Sequence, residues 1–112
     1  MSSVELREVV FDIPEKSQEK EWSGHQDVQM YGKIDKDADD NPIVDVMLKS
    51  FNLQFDREHF VEQQYVELDI ERKGHQACRV DAKAWLRTIN PTGNRDIKFS
   101  GRIVAVVIAQ VS

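Results

Sequence analysis

The chain has 112 residues, 40% hydrophobic and 31% charged, the size and balance of one soluble globular domain over residues 1–112, which excludes general disorder. Its formal net charge of −5 sits in the first half: residues 1–56 carry 13 acidic and 6 basic side chains, residues 57–112 carry 7 and 9. That field argues against an extended phosphate-binding surface and permits a basic partner, and the single cysteine, Cys78, excludes an intrachain disulfide framework and fits a reducing compartment.

The first residues lack a basic segment followed by an apolar stretch, so no secretory signal is expected. No window approaches a membrane span, and the expected location is the cytoplasm.

Taken in order, residues 4–13 read as a first strand ending at Pro14, followed by a solvated polar loop over 15–21 that Trp22 closes. Residues 26–34 alternate Val28, Met30, Gly32 and Ile34 against polar partners, a strand with one buried face. Residues 35–42 are a turn by composition. From Ile43 the phase changes: Val44, Val46 and Leu48 hold one parity, Phe51, Leu53 and Phe55 the other, so a strand here must carry a bulge near Lys49 and Ser50. The competing reading is an amphipathic helix on Val44, Met47, Leu48, Phe51 and Phe55. Residues 56–64, with Asp56 as a cap and several Glu and Gln, predict a short helical turn.

The two-residue period is clearest between Val61 and Val111. Val66, Leu68 and Ile70 form one apolar face, and Cys78, Val80, Ala82, Ala84 and Leu86 another. A three-residue turn at Lys73, Gly74 and His75 would pair Val66, Leu68 and Ile70 with Ala82, Val80 and Cys78, setting Asp69 against Arg79 and Tyr65 against Lys83 outside. The last strand buries Ile97, Phe99, Ile103, Ala105 and Val107. Pairing it with the preceding strand, Leu86 against Ile97, Asp81 against Arg102, Arg87 against Asp96 and Trp85 beside Lys98, completes a C-terminal three-stranded meander. Val104, Val106 and Ile108 break the pattern by putting apolar groups on the polar face, to be covered by the first strand or by a partner.

Little here carries chemistry. Asp35, Asp37 and Asp39 alternate as in a calcium loop, but Asp40 stands at the glycine position and Val46 where a bidentate glutamate belongs. His25, His59 and His75 have no ligand spacing, and Cys78 falls on the core parity, as a structural thiol would. No nucleophile elbow or phosphate loop is present. The polar face of the meander interleaves Tyr65, Arg79, Lys83, Trp85 and Arg87, the mixture of a single-strand nucleic-acid platform or of a protein interface anchored by Trp and Arg.

The sequence therefore predicts an all-β domain, or β with one short helix: a small antiparallel β-sandwich or curved, barrel-like sheet of about six or seven strands. The expected role is a non-catalytic protein-binding or assembly module, of the inhibitor, immunity or anti-defence type or a small part of a phage or secretion assembly. It needs no cofactor, and its partner is a protein, which includes a second copy of itself. Its partner-binding residues would be Tyr65, Arg79, Lys83, Trp85, Arg87, Val104, Val106 and Ile108. The alternatives are a single-stranded nucleic-acid-binding barrel and a calcium- or ligand-binding sandwich centred on Asp35, Asp37 and Asp39.

Overall fold

The computed structural model describes residues 2–58, 60–88 and 97–112. Six strands account for its regular structure: β1 (Ser3–Ser17), β2 (Trp22–Gln29), β3 (Val44–Phe55), β4 (Gln63–Arg72), β5 (Ala77–Arg87) and β6 (Lys98–Val111). They form two antiparallel three-stranded sheets, ordered β1-β6-β3 and β2-β5-β4. The sheets do not close into a barrel, and the arrangement is that of a small β-sandwich.

Alternation builds the core. In the first sheet Val9, Phe11, Ile13, Phe99, Ile103, Ala105, Val107 and Val111 are buried; in the second, Val28, Cys78, Val80, Ala82, Ala84 and Leu86. The small Ala82 and Ala84 of β5 share the cluster with the bulky Phe11 and Phe99, the size complementarity that lets two inner faces interdigitate. Removing a ring such as Phe99, fully buried, from water is worth about 1.5–3 kcal/mol. Burial pushes the Cys78 thiol pKa up, which leaves it an inert apolar group.

The molecule is long for its mass, 60 × 22 × 17 Å with a radius of gyration of 17.3 Å, against ~13 Å for a compact chain of about 100 residues. Its length follows from β1 and β6, paired from Ser3 and Val111 to Ser17 and Lys98.

The phase change in β3 is a bulge, with the register shifting between Leu48 and Ser50; the helical alternative for this segment is not adopted. Other expectations need correction. β1 does not stop at Pro14 but runs to Ser17 through an irregularity between Ile13 and Lys16, which an edge strand tolerates because its outer N–H groups are unpaired. β2 covers Trp22–Gln29, earlier than predicted; Met30 and Ile34 are buried beyond its end. The helical turn over 56–64 does not form, and no helix occurs among the described residues. That linker instead ties itself to both sheets, Asp56 N–H donating to Lys98 O (3.0 Å) and Glu62 N–H to Arg87 O (2.8 Å), while Phe60 stays 94% exposed. A single turn without an apolar face to bury does not repay helix nucleation.

The β4–β5 hairpin keeps the expected faces but sits two residues away in register: Val66, Leu68 and Ile70 pair with Ala84, Ala82 and Val80. Tyr65 therefore meets Trp85, Glu67 meets Lys83 and Asp69 meets Asp81. The turn falls one residue later, on Gly74, His75 and Gln76, closed by Lys73 N–H to Ala77 O (2.8 Å). Long-range bonds hold it there: Met30 N–H to Gln76 O (2.6 Å), Ile34 N–H to His75 O (2.8 Å) and Gln76 Nε2 to Tyr31 O (2.7 Å).

The three-stranded meander is also corrected. β6 leaves β5 for the other sheet and becomes its central strand, with Arg102 beside Asp12 and Asn52 rather than Asp81. The predicted Arg87–Asp96 pair lies outside the described residues. In the doubly apolar run 103–109 the inward Ile103, Ala105, Val107 and Ala109 are buried in the core, and the outward Val104, Val106 and Ile108 are half-buried between the side chains of β1 and β3.

Candidate interaction surfaces

The two sheets turn very different faces outward. On the β2-β5-β4 sheet, cross-strand rows set Ser23, Lys83 and Glu67 together, then His25, Asp81 and Asp69, then Asp27, Arg79 and Glu71. The first two rows and Arg79 line an open depression of about 440 Å³. Asp81 is held by Arg79 at 3.3 Å. Five acids (Asp27, Glu67, Asp69, Glu71, Asp81) outnumber Arg79, Lys83 and Arg87 on this face, which is therefore net negative.

Tyr65, Trp85 and Arg87 gather at one end of this face. The Arg87 guanidinium stacks on the Trp85 ring at 4.7 Å, and the Trp85 indole N–H donates to Gln18 O at 2.7 Å. The Tyr65 hydroxyl donates to the Glu67 carboxylate, a bond that raises the Tyr65 pKa above its ordinary value. Their polar groups are thus engaged within the chain, and Trp85 packs against the core. Arg79 and Lys83 lie further along, in the depression.

The β1-β6-β3 sheet is apolar outside. Its rows join Leu6, Ile108 and Asp45, then Glu8, Val106 and Met47, then Val10, Val104 and Ser50. Val4, Leu6 and Met47 are 69%, 62% and 55% exposed, and Val104, Val106 and Ile108 are half-buried between them. Ion pairs cross the strip, Lys49 Nζ to Glu8 at 2.8 Å and Arg102 to Asp12 at 2.8 Å. β1 flanks β6 edge to edge; it does not cover the face of Val104, Val106 and Ile108.

Asp35, Asp37 and Asp39 do not converge. The Asp35 carboxylate accepts from Ser2 Oγ (2.8 Å), from Ser112 Oγ and from Gln110 Nε2 (3.2 Å). Asp37 Oδ1 accepts from the N–H groups of Asp39 (2.9 Å) and Asn41 (3.0 Å), and Asp40 takes a positive φ of 66°. Among the described residues no three His, Cys, Asp or Glu side chains group as a metal site; the Asp37 carboxylate folds the loop, and Asp35 fastens it where the start of β1 meets the end of β6. His25 lies on the outer face of β2 and His75 in the β4–β5 turn; His59 lies outside the described residues. No helix among the described residues is long and apolar enough to cross a membrane.

Sequence reasoning missed three polar groups. Glu5 receives the N–H groups of Tyr31 (2.9 Å) and Gly32 (3.0 Å). Gln18 is buried, its Oε1 accepting from Thr88 N–H at 2.9 Å. Arg72 keeps Nη1 buried with no hydrogen-bond partner among the described residues. Each lies in a polar stretch that no local pattern distinguishes. Comparison with protein-family models, curated proteins and solved structures returns no match.

Proposed function

We propose that the protein is a non-catalytic protein-binding or assembly module whose main contact surface is the outer face of the β1-β6-β3 sheet. The observation that carries this reading is the apolar strip there: Val4, Leu6 and Met47 project from a sheet whose central strand adds Val104, Val106 and Ile108. A soluble surface rarely leaves such a strip unpartnered, and its ion-paired polar groups fit an interface with an apolar centre. The molecule is long and narrow, so the footprint is an elongated strip. The opposite face supports a protein partner over a nucleic acid, since its acids outnumber its cations and its tryptophan is engaged internally.

The test compares the wild type with Leu6→Asp and Val106→Asp by analytical ultracentrifugation and by affinity capture from the native host. A self-association or a captured protein that is lost in both variants, with unchanged circular dichroism, supports the reading. Wild type and variants that are equally monomeric and capture the same proteins overturn it. Salt-sensitive retention of labelled single-stranded DNA that vanishes in Trp85→Ala would replace it with nucleic-acid binding.

A further inference from the structure

We infer that the free edge of β4 receives an extended strand from a partner protein, a segment alternating basic and apolar side chains. This surface is separate from the apolar strip and stands without it.

β4 ends the β2-β5-β4 sheet, so one side of its backbone pairs with no strand among the described residues. The outer edges of the other sheet are interrupted: β1 by Pro14 and the irregularity between Ile13 and Lys16, β3 by its bulge, which carries Lys49. Such features discourage strand addition. β4 has none of them. Its ten residues lack Pro, Gly and Lys, and its ladder with β5 is unbroken from Gln63 to Arg72.

The side chains define the visitor. Toward the core, Val66, Leu68 and Ile70 are half-buried, and across the mouth of the sandwich Leu48 and Phe51 remain 41% and 42% exposed although they point to the core side of β3. The opposite mouth is shut, with Phe11 and Trp22 in edge-to-face contact at 6.0 Å. A strand on β4 would lay alternate apolar side chains beside Val66, Leu68 and Ile70, toward the exposed parts of Leu48 and Phe51.

On the outer side β4 presents Glu67, Asp69 and Glu71 in succession. Glu71 pairs with Lys73 at 3.1 Å, whereas Asp69 stands opposite Asp81, whose cation is Arg79, and has no ion pair of its own among the described residues; its Oδ1 accepts the edge-facing Ile70 N–H at 2.9 Å, a bond that a visiting strand replaces. Lysines or arginines at the outward positions of a visiting strand complete these rows. A second copy of β4 would set acid against acid, so the partner is not this edge of another protomer.

The test uses a capped ten-residue peptide, the length of β4, alternating lysine and valine. Controls are its glutamate counterpart and two lysine peptides N-methylated on either alternate set of amides. The expected result is binding of the lysine peptide at low salt, with new exchange protection on edge-facing β4 amides. Methylation of one amide set abolishes binding, and Asp69→Lys weakens it at least about tenfold, some 1.4 kcal/mol. Glu67→Gln weakens it less, and Val106→Asp leaves it unchanged, which separates this site from the apolar strip. No binding, binding of both methylated peptides, or protection on another strand overturns the inference.

Discussion

Trp85 donates its indole N–H to the backbone carbonyl of Gln18, 2.7 Å away and 67 residues earlier in the chain. Gln18 also donates its own N–H to Ile97 O at 3.0 Å and accepts from Thr88 N–H at 2.9 Å. One buried glutamine thereby joins the β1–β2 turn to the end of β5 and the approach to β6. Trp85→Phe keeps an aromatic ring but removes the donor and the pyrrole half of the indole, and should lower unfolding free energy by about 1–3 kcal/mol, chiefly the cost of leaving a carbonyl unmet. Urea denaturation of the variant measures this; an unchanged midpoint would show that water replaces the indole.

Asp69 opposite Asp81 is a like-charge pair on adjacent strands. Asp69→Lys turns it into an attractive pair and should stabilise the fold by about 0.2–1 kcal/mol at low salt, the range for cross-strand pairs. The gain should shrink in high salt. Thermal unfolding at two salt concentrations checks both statements, and destabilisation by Asp69→Lys would contradict them.

Gly101 lies where β6 meets both neighbours, paired with Ile13 and Leu53. A Cβ built there would sit 1.9 Å from Asn52 O, backbone that cannot swing aside. Gly101→Ala should therefore cost about 3 kcal/mol or more, beyond ordinary overpacking. The adjacent Ser100→Ala should stay within about 0.5 kcal/mol, as surface changes do. Parallel denaturation curves compare the two.

Asp35 has a pKa lowered from its ordinary 3.8, chiefly by the Ser112 hydroxyl, with Ser2 and Gln110 adding to it. A carboxyl with a lower pKa in the folded state stabilises the fold above the unfolded value, and that contribution fades as pH falls through 3.8 toward the folded value. Stability should thus fall with acid in that window, and Asp35→Asn should flatten the slope there. Urea midpoints between neutral pH and acid measure it; identical slopes in wild type and variant would remove Asp35 from the acid response.

Much of the architecture is legible in the residues. Alternation at Val80, Ala82 and Ala84 marks a half-buried strand, because side chains in a pleated strand point to opposite faces. The parity change across Lys49 and Ser50 marks the bulge, since only an inserted residue keeps both apolar sets inward. Register was less legible. Two β4–β5 alignments keep core against core, and the choice between them lies with hydrogen bonds from Met30 and Ile34 to the turn, residues more than forty positions away.

Local chemistry, then, sets which residues face inward and that the fold is built of strands, because burial and backbone pleat act over two to four neighbours. The partner of each strand is settled by the assembled molecule. An apolar β6 could pair with β5 next to it in sequence or insert between β1 and β3; it inserts, and side chains of the two flanking strands leave its outward Val104, Val106 and Ile108 half-buried. The surfaces follow from that choice. Moving β6 to the other sheet brings Val104, Val106 and Ile108 beside Leu6 and Met47, and leaves β4 with the open edge.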